Sequence, residues 1–175
     1  MDEPIISVSG MRGVVGGSLT TERVSRYVRA FTSTLPPGPL VISRDGRAHG
    51  GPLMEVVCQT LQDLGRDVQV AGIAATPTAA LLVREHRAAG GIQVSASHNP
   101  PEYNGLKLLS ASGRMLPAME GEAVLERYQQ DLASPPARSP GGRVPVEHAS
   151  SMHLEKILET VDVDRIARQK FRILL

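Results

Sequence analysis

The residues best suited to chemistry lie in one polar stretch, residues 90–107. They supply a hydroxyl, an imidazole, an amide and an ammonium group, from Ser97, His98, Asn99 and Lys107. An apolar run before them, residues 92–94, is typical of a buried strand. Pro100-Pro101 prevents a helix from starting at once, because proline lacks a backbone donor and pushes the residue before it to extended angles. We therefore expect Ser97 to lie in a rigid turn at the end of a strand.

The return of the chain brings a cation towards that turn. Asn104-Gly105 predicts a second, hairpin-type turn, and residues 106–109 predict a returning strand that carries Lys107. A serine hydrolase is an alternative, but the surroundings of Ser97 depart from Gly-x-Ser-x-Gly. Neighbouring residues also point in different directions, so Ser97 and His98 are a poor nucleophile–base pair.

Arg12 lies in a run of glycines and small residues, residues 5–17, which we interpret as a loop that can approach a ligand closely. The run lacks the Gly-Lys-Ser/Thr ending of a nucleotide-binding loop, and a plain hairpin with a solvated arginine is the alternative. Arginine suits a phosphate ligand, because its planar fork holds two oxygens and stays charged at any working pH.

A second group of charges follows the apolar run 40–42, which predicts a strand buried on both faces. The group consists of Arg44, Asp45 and Arg47. A strand that leads through a glycine turn into a helix presents ligands at its carboxyl end in an open α/β sheet. These residues either brace a site there or form a local Asp–Arg ion pair that holds the turn.

Strands and helices alternate along the chain, which predicts a three-layer α/β/α sandwich. Helices are expected at residues 20–35, 52–64, 76–89, 119–128 and 153–161, with Gly90-Gly91 ending the third. Strands are expected at 40–42, 67–72, 92–94, 106–109 and 171–175. The histidines lie at no spacing useful for a zinc or iron site, and His86 suits a solvated helix end.

Three stretches resemble motifs of one enzyme family. Residues 9–16 are similar to its N-terminal arginine loop, and residues 43–47 to its first strand-to-helix turn. The third stretch is Ser95-Ala96-Ser97-His98-Asn99-Pro100-Pro101-Glu102-Tyr103-Asn104-Gly105-Leu106-Lys107. It resembles the active-serine signature of the α-D-phosphohexomutases, which comprise phosphoglucomutases, phosphomannomutases and phosphoglucosamine mutases.

The resemblance implies that Ser97 is a phosphoserine that gives its phosphoryl group to a hexose 1-phosphate or 6-phosphate. It implies catalytic roles for Lys107, Arg12 and His98, and phosphate or sugar contacts for Asn99, Arg12 and Arg44. Mg²⁺ would be bound through the phosphate on Ser97 together with aspartates of a second domain. Hexose 1,6-bisphosphate would be the intermediate and activator, and the sugar of the hexose phosphate is left open between glucose, mannose and glucosamine.

Members of this family have four domains, and the motifs of domains II to IV do not occur in these 175 residues. The resemblance therefore implies an N-terminal fragment whose partners are its own missing domains; the alternative is a non-catalytic phosphoserine or anion-binding domain. We expect domain I at residues 1–147, with a Pro/Gly-rich linker at 134–147, and the start of a truncated domain II at 148–175. A four-stranded mixed sheet with an antiparallel last strand is also implied by the resemblance.

Composition argues against other classes. The formal net charge is only +1, and the chain has three Tyr, two Phe and no Trp, so nucleic acid is not an expected partner. No apolar run approaches the length of a membrane span. The single cysteine, Cys58, cannot form an internal disulfide and fits a small buried hydrophobe, and we expect a cytoplasmic protein.

Overall fold

The computed structural model describes residues 3–8, 10–130 and 137–174. The strands are β1 (Ile5–Ser7), β2 (Gly10–Val14), β3 (Leu40–Arg44), β4 (Val68–Ile73), β5 (Gly90–Val94), β6 (Tyr103–Ser110) and β7 (Arg143–Pro145). The helices are α1 (Thr21–Ser33), α2 (Gly50–Asp63), α3 (Thr76–Glu85), α4 (Ala118–Gln129), α5 (Ala149–Leu158) and α6 (Val163–Gln169). The strands form one sheet in the order β1-β2-β6-β5-β3-β4-β7.

The sheet is mixed, which confirms the α/β class. β3 runs parallel to β4 and β5, and β7 runs parallel to β4. β6, β2 and β1 continue from β5 in antiparallel pairs. The expectation of four strands is wrong, because the sheet has seven. The four expected strands, including the antiparallel β6, form its centre.

The additional strands come from segments that the sequence pattern assigned to a loop and a linker. Much of the glycine-rich run 5–17 is the hairpin β1–β2, and β2 pairs along β6 from Gly10 to Val14. Residues 143–145 pair with β4 at the opposite edge, where proline is tolerated because one side of the strand needs no partner. Ser9 and the first part of the expected linker, residues 134–136, lie outside the described residues.

Helices pack on both faces of the sheet. The larger core joins strand residues such as Leu40, Ile42 and Leu106 to α1, α2 and α4. The alternate strand residues Val41 and Leu109 face α3 in the second core. Side chains of a strand alternate between faces, so the continuous apolar run 40–42 reflects burial against both helical layers.

The third predicted helix is four residues too long at its C-terminal end. α3 ends at Glu85, and Gly90 and Gly91 belong to β5 instead of stopping the helix. A Cβ added at Gly91 would lie 2.7 Å from the Val83 side chain and 2.9 Å from the Val41 carbonyl oxygen. Glycine is therefore needed there because α3 and β3 approach the strand closely.

The C-terminal expectation was wrong in one respect. Residues 171–174 are not a strand, since no described strand lies beside them, and Leu175 lies outside the described residues. The chain forms a short helix, α6, before them, which the apolar pattern had not indicated. Among the described helices, none combines the length and apolar character needed to cross a membrane.

Candidate active site

The candidate site lies where the order of strands reverses. From β3 the chain passes to β4 on one side and then to β5 on the other, so the carboxyl ends of β3 and β5 are neighbours. In open α/β sheets, ligands bind in the crevice at such a switch point. The turn that contains Asp45 and Arg47 follows β3, and the loop that contains Ser97 follows β5.

We call residues 95–103 the serine loop. Its backbone is turned by the hydrogen bonds from Asn99 N to Ala96 O and from Tyr103 N to Pro100 O, each 3.1 Å long. The Ser97 amide donates to Ser95 Oγ at 3.1 Å. Ser97 has a φ of 59°, in the left-handed region, which costs a residue with a Cβ about 1 kcal/mol. Ser97 thus lies in a turn after β5, as the sequence predicts, and the structure adds that the residue is exposed and its backbone strained.

Arg47 holds this loop from the side of β3. Its guanidinium donates to four carbonyl oxygens, those of Ser97, Asn99, Pro100 and Tyr103, over 2.5 to 3.1 Å. Arg47 Nε also lies 3.5 Å from Asp45 Oδ2, and the Arg47 amide donates to Asp45 Oδ1 at 3.1 Å. Both interpretations of this charged group therefore apply to Arg47, which is at once a brace of the loop and a partner of Asp45.

A cavity of about 210 Å³ brings together Arg12, Ser97 and Lys107. They come from three different segments: β2, the serine loop and β6. The described residues that complete its lining are Ser7, Gly10, Met11, Ser95, Ala96, Leu106 and Met115, and they include no carboxylate. The cavity is thus an electropositive pocket beside an exposed hydroxyl, which suits an anionic ligand such as a phosphate.

The register of β6 brings Lys107 to this cavity. Lys107 lies opposite Gln93 of β5 on one side and Gly10 of β2 on the other. The predicted turn at Asn104-Gly105 is wrong, because both residues lie inside β6. Asn104 is fully buried, and its Oδ1 accepts from the Gly105 amide at 2.8 Å. The turn back from β5 is made instead by the serine loop.

Two polar contacts of the site escaped the sequence interpretation. Lys107 Nζ lies 3.5 Å from Oγ1 of Thr76, the first residue of α3, and Ser95 Oγ accepts the Ser97 amide. A hydroxyl residue two positions before the serine is a local signal that could have revealed the second contact. Only the folded arrangement of α3 against β6 reveals the first.

The other predicted site residues, His98, Asn99 and Arg44, do not line the cavity that contains Ser97. His98 is exposed, and its Nδ1 lies 3.4 Å from Ser97 Oγ, longer than a normal hydroxyl hydrogen bond. Asn99 lines a neighbouring cavity with Arg47 and His49, and its buried Oδ1 has no hydrogen-bond partner among the described residues. Arg44 donates to the Asp45 carbonyl at 2.9 Å and does not line the cavity that contains Ser97.

A buried polar network supports the strands beneath the loop. Ser43 of β3 hydrogen-bonds to Gln93 of β5, whose Nε2 donates to the Ala74 carbonyl at 3.1 Å. Ser43 and Gln93 are almost completely buried, and buried polar groups that are paired in this way fix the relative position of their strands. Gln93, the one polar residue inside the apolar run 92–94, is the sequence signal that could have revealed this network.

The described residues do not fit a magnesium site on their own. Mg²⁺ prefers carboxylate and phosphate oxygens in octahedral geometry. In residues 3–8, 10–130 and 137–174, no three His, Cys, Asp or Glu side chains cluster as metal ligands. The described lining of the cavity offers a metal three serine hydroxyls, those of Ser7, Ser95 and Ser97, beside two cations. A phosphate on Ser97 would add the anionic oxygens that Mg²⁺ prefers.

Comparison with known proteins shows the family of this chain. The family "Phosphoglucomutase/phosphomannomutase, alpha/beta/alpha domain I" matches residues 4–134. A "Probable phosphoglucosamine mutase" of Methanopyrus kandleri is 36% identical over 156 residues, which cover 89% of this chain and 34% of that protein. A phosphoglucosamine mutase of Thermotoga sp. is 33% identical over 150 residues, with 86% and 34% coverage.

A solved structure shows the same fold. It is a phosphoglucomutase/phosphomannomutase family protein from Burkholderia thailandensis, with a TM-score of 0.73 and 23% identity over 90% of this chain and 37% of that one. The chain therefore spans about a third of the length of the curated relatives it matches. The family match covers most of the chain and contains Arg12, Ser97 and Lys107. This chain belongs to the phosphoglucomutase/phosphomannomutase family and contains its α/β/α domain I.

Proposed function

We propose that this chain is the phosphoserine-bearing N-terminal part of a phosphohexomutase, with Ser97 as the residue that carries the phosphoryl group. The observation that carries the proposal is the convergence of exposed Ser97 with Arg12 and Lys107 at one cavity without carboxylates among its described lining residues. A hydroxyl that stores a phosphoryl group needs cations on the phosphate oxygens and a group that can exchange a proton with its own oxygen.

The transfer divides into two balanced halves. In the first, the bond between phosphorus and Ser97 Oγ breaks, and a new bond forms between phosphorus and a hydroxyl oxygen of a hexose phosphate. The sugar hydroxyl loses a proton and Ser97 Oγ gains one. In the second half, the other phosphoryl group of the resulting hexose 1,6-bisphosphate leaves its sugar oxygen and bonds to Ser97 Oγ. Ser97 Oγ loses a proton, the sugar oxygen gains one, and the isomeric hexose phosphate is released. The same bisphosphate, added from solution, would restore enzyme that had lost its phosphate.

We assign the proton at Ser97 Oγ to Lys107 and the phosphate oxygens to Arg12. Lysine gives and takes a proton more readily than arginine, whose guanidinium stays charged and offers a planar fork to two oxygens. His98 and Asn99 follow Ser97 directly and would contact the sugar or its phosphate. Arg44 does not line this cavity, and its role as a phosphate contact rests on the family resemblance alone. Mg²⁺, when bound to the phosphoserine, would neutralise phosphoryl charge; its remaining ligands would come from a further domain.

A second candidate function applies to these 175 residues alone: a phosphoserine or anion-binding domain without turnover. The observation in its favour is the size of the cavity, about 210 Å³, which has room for a phosphate but does not enclose a hexose phosphate. Positioning supplies most of the catalysis in phosphoryl transfer, so a cavity that leaves the sugar loose should not turn it over.

Exposed apolar side chains near the C-terminal end support a further domain in the working enzyme. Phe171, Ile173 and Leu174 are 67%, 79% and 99% exposed. Several large apolar side chains exposed within four residues are typical of a segment that another surface covers. We propose that residues 148–175 begin domain II, which covers these side chains and belongs to the longer enzyme with domains III and IV.

A coupled assay tests the proposal on two proteins, the longer protein that the proposal implies and the 175-residue chain. The substrates are the phosphates of glucosamine, mannose and glucose, with Mg²⁺ and a catalytic amount of hexose bisphosphate; glucosamine phosphate comes first because relatives carry the name phosphoglucosamine mutase. We expect the longer protein to turn over at least one of the sugar phosphates and the short chain to turn over none. A circular-dichroism melt checks that the short chain is folded. A longer protein inactive on all three sugars would contradict the proposal.

A further inference from the structure

We propose that Arg47 is a positioning residue, which clamps the serine loop and thereby sets the direction of the Ser97 hydroxyl. The functional part of this inference rests on the proposed phosphoryl transfer. The clamp itself rests on four hydrogen bonds from one guanidinium to the carbonyls of Ser97, Asn99, Pro100 and Tyr103. These contacts span the loop from the reactive serine to the first residue of β6.

The four carbonyl oxygens converge on one guanidinium, two at each of its terminal nitrogens. Each oxygen carries a partial negative charge, so the group favours a cation at that position. The Arg47 side chain is only 20% exposed, and its bonds to the Asn99 and Tyr103 carbonyls are partly buried, so water cannot easily replace the guanidinium there. Hydrogen bonds from a charged donor are about twice as strong as neutral ones, so this contact favours the observed loop conformation.

The geometry gives Arg47 no spare donor for a substrate phosphate. Its two terminal nitrogens each donate to two carbonyls, and Nε faces Asp45 Oδ2 at 3.5 Å. A guanidinium has five N–H groups in a fixed fork, whereas the lysine ammonium has three donors at a single point. Arg47→Lys therefore keeps the charge but cannot donate to all four carbonyls at once.

Asp45 fixes the clamp to the sheet. It follows β3 directly, its own amide donates to the Val94 carbonyl at 2.9 Å, and its carboxylate accepts the Arg47 amide. The clamp thus connects the carboxyl end of β3 to the loop that follows β5. The strained φ of 59° at Ser97 is compatible with one stable loop only when the surrounding contacts determine it.

Amide hydrogen exchange by NMR tests the clamp on the 175-residue chain. The reporters are the Asn99 and Tyr103 amides, which are hydrogen-bonded within the loop, and the β5 amides report global opening. We expect Arg47→Lys and Arg47→Ala to accelerate exchange in the loop about tenfold or more relative to β5. Arg84→Ala, at an exposed arginine of α3, is the matched control and should leave both unchanged. Unchanged loop exchange, or equal acceleration in the loop and in β5, would overturn the clamp.

The kinetics of the longer protein test whether the Arg47 clamp matters for catalysis. A misdirected serine lowers kcat, so both Arg47 variants should lose about tenfold or more in kcat with little change in KM. A loosened loop with unchanged kcat would overturn the positioning role. If the wild-type protein turned over no hexose phosphate, the proposed function would fail, while the exchange measurement would still decide whether Arg47 holds the loop.

Discussion

Gly105 lies directly opposite Arg12 in the antiparallel pairing of β6 with β2. A Cβ added at Gly105 would come within 2.3 Å of the Met11 carbonyl oxygen and 3.1 Å of Arg12 Cβ. The absence of a side chain at Gly105 therefore allows β2 to lie close enough to β6 to bring Arg12 to the cavity that contains Ser97 and Lys107.

Gly105→Ala should lower the free energy of unfolding by about 1 to 3 kcal/mol, the usual cost of forcing an extra methyl group into a packed region. Urea unfolding of the 175-residue chain measures it. Gly51→Ala is the matched control: Gly51 lies in α2, and an added Cβ there meets nothing within 4 Å. Alanine is the better helix former, so Gly51→Ala should leave stability unchanged or raise it by up to about 1 kcal/mol. Equal stability of the Gly105→Ala and wild-type chains would show that β2 is not held against β6 in this way.

Lys107→Ala should reduce kcat of the longer protein by about 10² to 10⁴-fold, the typical contribution of a general acid or base. Lys107→Arg should lose activity as well, because a guanidinium keeps the charge but does not exchange the proton. Lys156→Ala, at an exposed lysine of α5, should leave kcat unchanged. A loss below about fivefold in Lys107→Ala, or full activity in Lys107→Arg, would restrict Lys107 to charge neutralisation.

Cys58 should be unreactive in the folded chain. Its side chain is completely buried in α2, and burial raises the pKa of the Cys58 thiol to about 11. At pH 8 only about 0.1% of such a thiol is thiolate, the reactive form. We expect an aromatic disulfide reagent to label the folded chain at pH 8 at least about 100-fold more slowly than the urea-unfolded chain. Complete labelling of the folded chain within minutes would contradict the described packing of α2.

Local pattern was sufficient for the elements whose apolar spacing reflects burial. α1 lies within the range expected for the first helix, with Thr20 as its cap, which accepts from the Arg23 amide at 3.3 Å. β3 and β5 lie at the two apolar runs. The resemblance of residues 95–107 to the active-serine signature led to Ser97 and Lys107, and the structure brings both to one cavity with Arg12.

Other features depend on contacts between distant segments and could not be read locally. Asn104-Gly105 has the composition of a hairpin turn, yet it lies inside β6 because Gly105 packs against the backbone of β2. The edge strand β7 exists only because β4 offers it a partner. In the same way, the charges at residues 44–47 predicted a brace, but its four partners are carbonyls about 50 residues away along the chain, which only the fold identifies.

The central claim is that Ser97 carries the phosphoryl group that reaches the sugar. The most direct test labels the longer protein with hexose bisphosphate that carries radioactive phosphate, maps the label by peptide mass spectrometry, and then adds unlabelled hexose phosphate in a single turnover. We predict that the label lies on Ser97 and not on Ser95, that it moves to the sugar during the first turnover, and that Ser97→Ala accepts none. Label on Ser95, or normal turnover by Ser97→Ala, would contradict the account.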